Sequence, residues 1–309
     1  MSKISVLVLG GGPDAEREVS LKSAAGIAQG LRDGGTYHVL EKTIDRVTRD
    51  ELKALPGDVI VPALHGSFGE GGTLQDLMDQ DGRPYVGCRG QAARWAMDKM
   101  ATKLFAARAG IPTSEACILN PADEACPLPL PVVVKPVHDG SSVGLHIVKS
   151  PEQWRSARGA VAQDQKAKPG RAYLIERYIA GSELTCPVID ARAFPIINIR
   201  PADGVYDYDA KYIRKDTQYI INPELPAGVA DTVKEYATTL FQTLGCRHLS
   251  RIDFMLDLEG RPWLLEINTF PGFTATSLVP KAANAEGLGM PALCEMLVGL
   301  ALRDHRARG

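Results

Sequence analysis

Arg251-Ile252-Asp253-Phe254 is followed, thirteen residues after the aspartate, by Glu266-Ile267-Asn268. Strand side chains alternate with period two, so Glu266 and Asn268 share a face, and Asp253 on a neighbouring strand could turn to the same side. Two carboxylates and an amide oxygen are the hard donors that Mg²⁺ takes when phosphates hold it as well. Plain surface pairing is the alternative, but the surrounding run Leu264-Leu265 and Ile267 is apolar. An unpaired carboxylate buried there is costly, and a cation offsets that cost.

Upstream, Lys135 ends the run VVVK and precedes Gly140, Ser141, Ser142 and Gly144. Small residues let backbone N–H groups approach phosphate oxygens while the lysine adds a point charge. The lysine precedes the glycines, so this is not a Walker loop. The segment LIERYIAGSE then offers Glu176, the backbone of Arg177, Tyr178 and Ile179, and Glu183. Together these could hold a purine edge and a ribose, although a surface hairpin would alternate in the same way.

At the N-terminus, Gly10, Gly12 and Ala15 match the dinucleotide spacing GxGxxG/A after the run ISVLVL, and Glu41 stands near the end of the next strand. A nicotinamide or flavin oxidoreductase is therefore a rival reading. Asp14, Glu16 and Glu18 oppose it, because they crowd the helix start where a pyrophosphate would have to sit. They suit an ammonium ligand, with Glu16 best placed, or serve only to cap the helix and favour its dipole.

The elements that must position these groups follow from periodicity. Strands over residues 4–9, 37–40 and 58–64 alternate with helices that carry Val19, Leu21, Ile27 and Leu31, then lie near Glu51, then over 74–78. That alternation predicts an α/β parallel sheet closing near Gly87. One long helix is expected over 91–109, stopped by Gly110 and Pro112. Strands over 132–135, 143–148, 173–178, 183–189 and 194–199 have few helices between them and favour antiparallel α+β structure. A helix over 229–244, strands over 250–256 and 262–267, and terminal helices complete the chain, with 203–218 as a long mobile loop.

A chain of 309 residues exceeds one usual domain, and the divisions expected are 1–88, 89–181 and 182–309. A net charge of −2 without basic runs argues against a nucleic-acid partner. The apolar stretch 4–9 is too short to span a bilayer, so no membrane partner is expected. Cys88, Cys117, Cys126, Cys186, Cys246 and Cys294 form no CxxC pair and read as buried thiols of a cytoplasmic protein, with zinc binding the weaker alternative.

The sequence resembles the D-alanine–D-alanine ligases of the ATP-grasp superfamily over essentially its whole length. The motifs, in order, are AEREVSL (15–21), HGSFGEGG (65–72), MDKMATK (97–103), KPx₃GSSVG (135–144), IEx₆E (175–183), YDYDAKY (206–212), RIDF (251–254) and LEINTFPG (265–272). The resemblance implies a two-lobed ATP-grasp module after the N-terminal domain. It implies a cytoplasmic ligase that makes the dipeptide for peptidoglycan precursors from D-alanine and ATP through a D-alanyl phosphate, as a homodimer. By motif, Lys99, Lys135 and Lys211 would neutralise the triphosphate. Glu176, with the backbone of Arg177, Tyr178 and Ile179, would meet the adenine, and Glu183 the ribose. Asp253, Glu266 and Asn268 would hold two Mg²⁺ or Mn²⁺ ions, with monovalent-cation activation a further implication. Arg251 and Gly272 would stabilise the oxyanion. Glu16 and His65 would receive the first D-alanine, Ser277 and Leu278 the second, while Glu16, Ser141 and Tyr212 would link to close the long loop. Gly71, Ala93, Val137, His138 and Asp139 depart from the family pattern, and Lys22 adds a cation near the second substrate. Ligases making D-Ala–D-Lac, D-Ala–D-Ser or specialised metabolites are the nearest alternatives.

Overall fold

The computed structural model describes residues 3–140, 144–201 and 216–307. Strand β1 (Ser5–Gly11) is the centre of a three-stranded parallel sheet between β2 (His38–Ile44) and β3 (Val59–Pro62), with helix α1 (Arg17–Gly34) crossing from β1 to β2. Val6 and Val8 are buried on one face and Leu7 and Leu9 on the other, so the strand is apolar throughout, as a parallel strand covered on both sides must be. Ala24, Ile27 and Leu31 of α1 cover the valine face. The leucine face is covered from α2 (Arg49–Ala54), the short α3 (Gly66–Glu70) and α4 (Thr73–Asp81) by Leu52, Phe68, Leu74 and Met78. Gly10 is required by close approach: a Cβ there would come within 2.7 Å of the Ala24 Cβ.

The single helix expected over 91–109 is two, α5 (Gly90–Met97) and α6 (Lys99–Arg108). Asp98 between them is extended (φ −81°, ψ 104°), and its carboxylate accepts from the N–H groups of Met100 (2.9 Å) and Ala101 (3.0 Å). Capping by a side chain wins over continuing the helix, and the break sets Lys99 at the first position of α6.

Strands β4 (Ala116–Ile118), β5 (Val132–Pro136), β6 (His146–Val148) and, after α7 (Pro151–Ala167), β7 (Tyr173–Arg177) form an antiparallel sheet in the order β4-β7-β5-β6. The larger antiparallel sheet contains β8 (Gly181–Ile189), β9 (Arg192–Ala193), β10 (Ile197–Arg200), β11 (Gln218–Ile221), then, beyond α8 (Val229–Thr243), β12 (Leu249–Asp257) and β13 (Pro262–Asn268). Its order is β11-β10-β8-β12-β13, with β9 against β8. Ala92, Ala93, Ala96 and Ala106 pack α5 and α6 into the core of this sheet, so Ala93, a departure from the family pattern, is a buried packing residue. The elements α3, β4, α7 and β11 lie outside those expected from periodicity. The predicted mobile loop lies almost wholly outside the described residues, and β11 begins at its last position.

Two closing helices, α9 (Leu278–Ala285) and α10 (Met290–Arg306), return to the first sheet, where Leu293, Leu297 and Ala301 join the core beneath α1. The joint is reinforced by Arg247 Nε, which donates to the Gly87 carbonyl (2.7 Å), and by the Gly87 N–H, which donates to His248 Nδ1 (3.0 Å). The cysteines are free thiols; Cys88, Cys186, Cys246 and Cys294 are buried as expected, whereas Cys117 and Cys126 are only half-buried. Among the described residues no single helix is long and apolar enough to cross a membrane.

Candidate active site

A cavity of about 470 Å³ opens between the two antiparallel sheets. Its walls include Lys99, Lys135, Glu183, Asp253 and Glu266, together with the continuous segment 176–179. A second cavity, of about 710 Å³, lies between the parallel-sheet domain and the larger sheet and takes in Glu16, His65, Arg251, Asn268, Gly272, Ser277 and Leu278. Lys99, Asp139, Gly140 and Glu266 line both, so the two spaces meet at one point. The structure thus distributes the expected site residues over two adjoining cavities. Ser141, Lys211 and Tyr212 fall outside the described residues.

The nucleotide-sized cavity has a charged floor. Glu176 is buried at the middle of a sheet, with Lys135 Nζ 2.5 Å from Oε1 and Lys103 Nζ 2.9 Å from Oε2. Burial alone would push the Glu176 carboxyl up, but Lys135 and then Lys103 hold it down at about 2. Burial likewise opposes the charge on Lys135, and the carboxylates of Glu176 and Glu266 overcome it, leaving its pKa raised. For Lys99 burial wins and the pKa falls; its ammonium donates to the Asp139 carbonyl (2.5 Å) and stands 3.6 Å from Glu266 Oε2. Asp139, a departure within the phosphate loop, has its carboxylate engaged by Arg171 Nε (2.7 Å), and Val137 beside it is a buried packing residue.

The depressed Glu176 pKa carries a pH consequence. Its folded value lies below the ordinary carboxylate value of about 4.3, so its stabilising contribution is complete above that pH and is lost as pH falls toward 2. Urea midpoints followed from about pH 6 to about pH 2 should show the loss. Glu176→Gln should begin less stable, because two buried ammonium groups then face an amide, but should lose less over that interval. Equal acid slopes in the two proteins would remove Glu176 from the account.

Strands β12 and β13 pair Asp253 with Glu266 and Arg251 with Asn268, with a bulge after Asp253. Directly opposed residues of an antiparallel pair share a face, so the three oxygen-bearing side chains are brought together. Asp253 Oδ1 accepts from Arg251 Nε (2.9 Å) and Thr185 Oγ1 (2.6 Å), and Oδ2 from Arg251 Nη2 (2.7 Å) and Asn268 Nδ2 (3.1 Å). With its amide nitrogen so engaged, Asn268 can turn its carbonyl oxygen to a cation as a ligand atom. No group of three or more His, Cys, Asp or Glu side chains among the described residues has metal-site geometry. The donor chemistry nevertheless fits Mg²⁺, an ion that commonly takes one or two carboxylates and completes its shell with phosphate and water.

In the larger cavity, Glu16 ends the loop before α1, and its carboxylate reaches Gly140, where a Cβ would lie 3.5 Å from Oε2. His65 is buried in a polar chain that sequence reasoning did not resolve: Nδ1 is 2.8 Å from Glu70 Oε1 and Nε2 is 3.2 Å from Ser23 Oγ, which itself accepts from the Phe273 N–H (3.0 Å). Burial opposes charging His65, yet Glu70 and then Glu16 raise its pKa, while burial raises that of Glu70. Both shifts keep a proton within the pair. Asp14 has a structural task, since its carboxylate accepts from the Phe68 N–H (2.8 Å) and pins the start of α3. Gly71 follows because a Cβ there would come within 2.3 Å of the Ser67 carbonyl. The remaining departure, His138, is exposed, with Nε2 3.4 Å from Asp98 Oδ2.

The dinucleotide alternative loses its support. Glu41 lies in mid-strand on β2, exposed, with Oε1 2.5 Å from Arg32. Gly10 serves helix packing, and the polar cavities lie elsewhere.

Two antiparallel sheets closing on a lysine-floored cavity, after a parallel-sheet domain that walls a second one, define an ATP-grasp protein. Residues 110–299 match the family model for the D-ala D-ala ligase C-terminus. The chain is 41% identical over 297 residues to D-alanine–D-alanine ligase B of Chromobacterium violaceum, covering 94% of this chain and 95% of that protein. It superimposes on the D-alanine–D-alanine ligase of Bacillus anthracis complexed with ATP with a TM-score of 0.85, at 31% identity and with all of both chains covered. The VanG D-Ala:D-Ser ligase of Enterococcus faecalis shares the fold, with a TM-score of 0.82 at 24% identity over 97% of this chain and all of that one. The chain belongs to the D-alanine–D-alanine ligase family.

Proposed function

We propose that this protein joins two D-alanine molecules at the expense of ATP, supplying the dipeptide for peptidoglycan precursors. The observation that carries the reading is the meeting of a nucleotide-sized cavity and a second cavity, lined by Glu16 and His65, at Lys99, Asp139, Gly140 and Glu266. A phosphoryl group passed from one to the other has only that junction to cross.

Residues 1–88 and 182–309 contribute the amino-acid cavity, and residues 89–181 with 182–309 enclose the nucleotide. Glu16 and His65 receive the first D-alanine, its ammonium toward Glu16 and its carboxylate toward the junction. Lys99, Lys135 and Lys211 neutralise the triphosphate, Glu176 and the backbone of 177–179 meet the adenine, and Glu183 takes the ribose. A carboxylate oxygen attacks the γ-phosphorus, the bond to ADP breaks, and an acyl phosphate forms. The second D-alanine, its carboxylate on Ser277 and Leu278, attacks the carbonyl carbon as free amine. Arg251 and the Gly272 N–H hold the oxyanion, phosphate leaves, and the amine proton passes to solvent or phosphate. Glu16, Ser141 and Tyr212 close the site against water that would hydrolyse the acyl phosphate. Glu266 and Asn268 would hold Mg²⁺ or Mn²⁺, with Asp253 joining by giving up a present hydrogen bond. Two such ions would supply charge neutralisation to the transferring phosphoryl group. We take the reaction to run in the cytoplasm, where ATP is supplied, and the working form to be a homodimer that responds to monovalent cations.

The products test the reaction class. Incubation with D-alanine, MgATP and the protein should release ADP and phosphate in equal amounts with the dipeptide. AMP and pyrophosphate would mean an adenylate and would refute the acyl phosphate.

A second reading, with a hydroxy-acid acceptor, is favoured by one observation. Lys22 and Lys281 line the larger cavity, and Lys281 Nζ is held 5.3 Å from the centre of the Tyr219 ring. Cations disfavour an acceptor ammonium and favour an anion. Dipeptide formation should therefore rise from about pH 6 to about pH 8.5 as free amine becomes available. Competition between D-alanine and D-lactate, with products weighed by mass spectrometry, decides it; dominant D-Ala–D-Lac at neutral pH would overturn the acceptor while leaving the ligase.

A further inference from the structure

Lys103 lines neither cavity, yet it is among the most completely bonded side chains near them. It stands one turn beyond Lys99 on α6 and is 6% exposed. Its ammonium lies 2.9 Å from Thr113 Oγ1, 3.0 Å from the Ser114 carbonyl, 2.9 Å from Ser114 Oγ and 2.9 Å from Glu176 Oε2. Ser114, which lines the nucleotide cavity, also donates from Oγ to Glu176 Oε2 (3.1 Å), so Lys103 and Ser114 share that oxygen. The other oxygen, Oε1, faces Lys135 at 2.5 Å. Three buried ammonium groups, on Lys99, Lys103 and Lys135, thus surround the Glu176 and Glu266 carboxylates, and two of them, Lys99 and Lys135, line the cavity where a polyanion is to bind.

We infer that Lys103 is a positioning residue for nucleotide binding: by neutralising Glu176 from behind the wall, it leaves the charge of Lys135 available to the phosphates. Without Lys103, the buried Glu176 carboxylate keeps, among the described residues, Lys135 as its one ammonium partner. Drawing Lys135 toward phosphate would then strand an unpaired buried charge, which is strongly unfavourable. Lys103 thus acts through Lys135 and touches no ligand. This inference rests on the ATP-ligase reading, and its test separates the two.

The experiment measures MgATP affinity calorimetrically, and KM for ATP and for D-alanine, in the wild type and in Lys103→Met, Lys103→Arg, Lys135→Met and the Lys103/Lys135 double variant. Wild-type protein that does not bind MgATP would refute the ligase reading itself. With wild-type binding established, Lys103→Met should weaken MgATP by roughly tenfold to a hundredfold, with KM for D-alanine within about twofold of wild type. Lys103→Arg should recover most of the loss, because charge is restored. In the Lys135→Met background the same Lys103 change should cost little further, since the residue it acts through is gone. Should Lys103→Met fail to fold, Lys103→Gln, which keeps a donor toward Ser114 without the charge, takes its place in the cycle. Undiminished MgATP affinity, or an equal loss with and without Lys135, would overturn the positioning role.

Discussion

Glu266→Gln is expected to lower kcat by about 10²–10³-fold while the melting temperature moves by only a few degrees. The side chain is half-buried at the junction of the two cavities, opposite Asp253 in the strand register and 3.6 Å from Lys99 Nζ. Glutamine preserves its volume and one carbonyl oxygen, so packing against β12 survives, but the negative charge that would anchor a divalent cation is lost. Lys99 retains the Asp139 carbonyl as a partner, which limits the structural cost. Steady-state phosphate release and thermal unfolding, measured on the same preparation, separate the two effects. Near-normal turnover at ordinary Mg²⁺ would make Glu266 a structural group.

Arg251→Met should fail in both respects. Its guanidinium donates twice to Asp253, a carboxylate that is 3% exposed. Removing the arginine leaves that charge with Thr185 and Asn268 alone, at a cost of about 3–5 kcal/mol. It also removes the cation proposed to hold the oxyanion, for a loss of about 10²–10³-fold in kcat. Arg251→Met/Asp253→Asn should regain much of the stability, because the stranded charge is gone, and none of the turnover. Recovery of turnover in that pair would place the arginine's whole contribution in the fold. Denaturant midpoints and single-turnover kinetics give the answer.

The parts of the site that depend on strand alternation were legible from sequence. Glu266 and Asn268 two residues apart, with RIDF thirteen residues earlier, required only that β12 and β13 be neighbours, and they pair in register. Lys135 before a glycine-rich turn, and Glu176 through Ile179 followed by Glu183, likewise fall on one cavity. What was illegible depends on partners remote in the chain. Lys103 looks like any solvated helix lysine until Ser114 and Glu176 are folded against it. His65 gains its meaning from Glu70 and Ser23, forty-two residues away. The break at Asp98 leaves no mark in the periodicity, because aspartate inside an apolar repeat reads as an exposed position, whereas here it caps the following turn. Helix α7 does carry a sequence signal: Ser150 and Pro151 mark its start, and Trp154, Ala157 and Val161 lie on one face.

The wall of the larger cavity is drawn from widely separated stretches, from Glu16 on the first loop to Lys281 on α9, with His65, Arg251 and Asn268 between. No short fragment of the chain contains this site, and a growing polypeptide acquires it only after its last strand and the following helix have been made. With the first amino acid on Glu16 and His65 and the second on Ser277 and Leu278, as proposed, the two substrates together bridge the early and late segments of the chain. Their joint binding energy is then available only when both segments are in place, and opening either one forfeits part of it. Substrate thus acts as a clasp that ties the first and last segments into one cooperative unit, so that saturation slows breathing of the joint between α1 and α10 as well as exchange at the cavity itself.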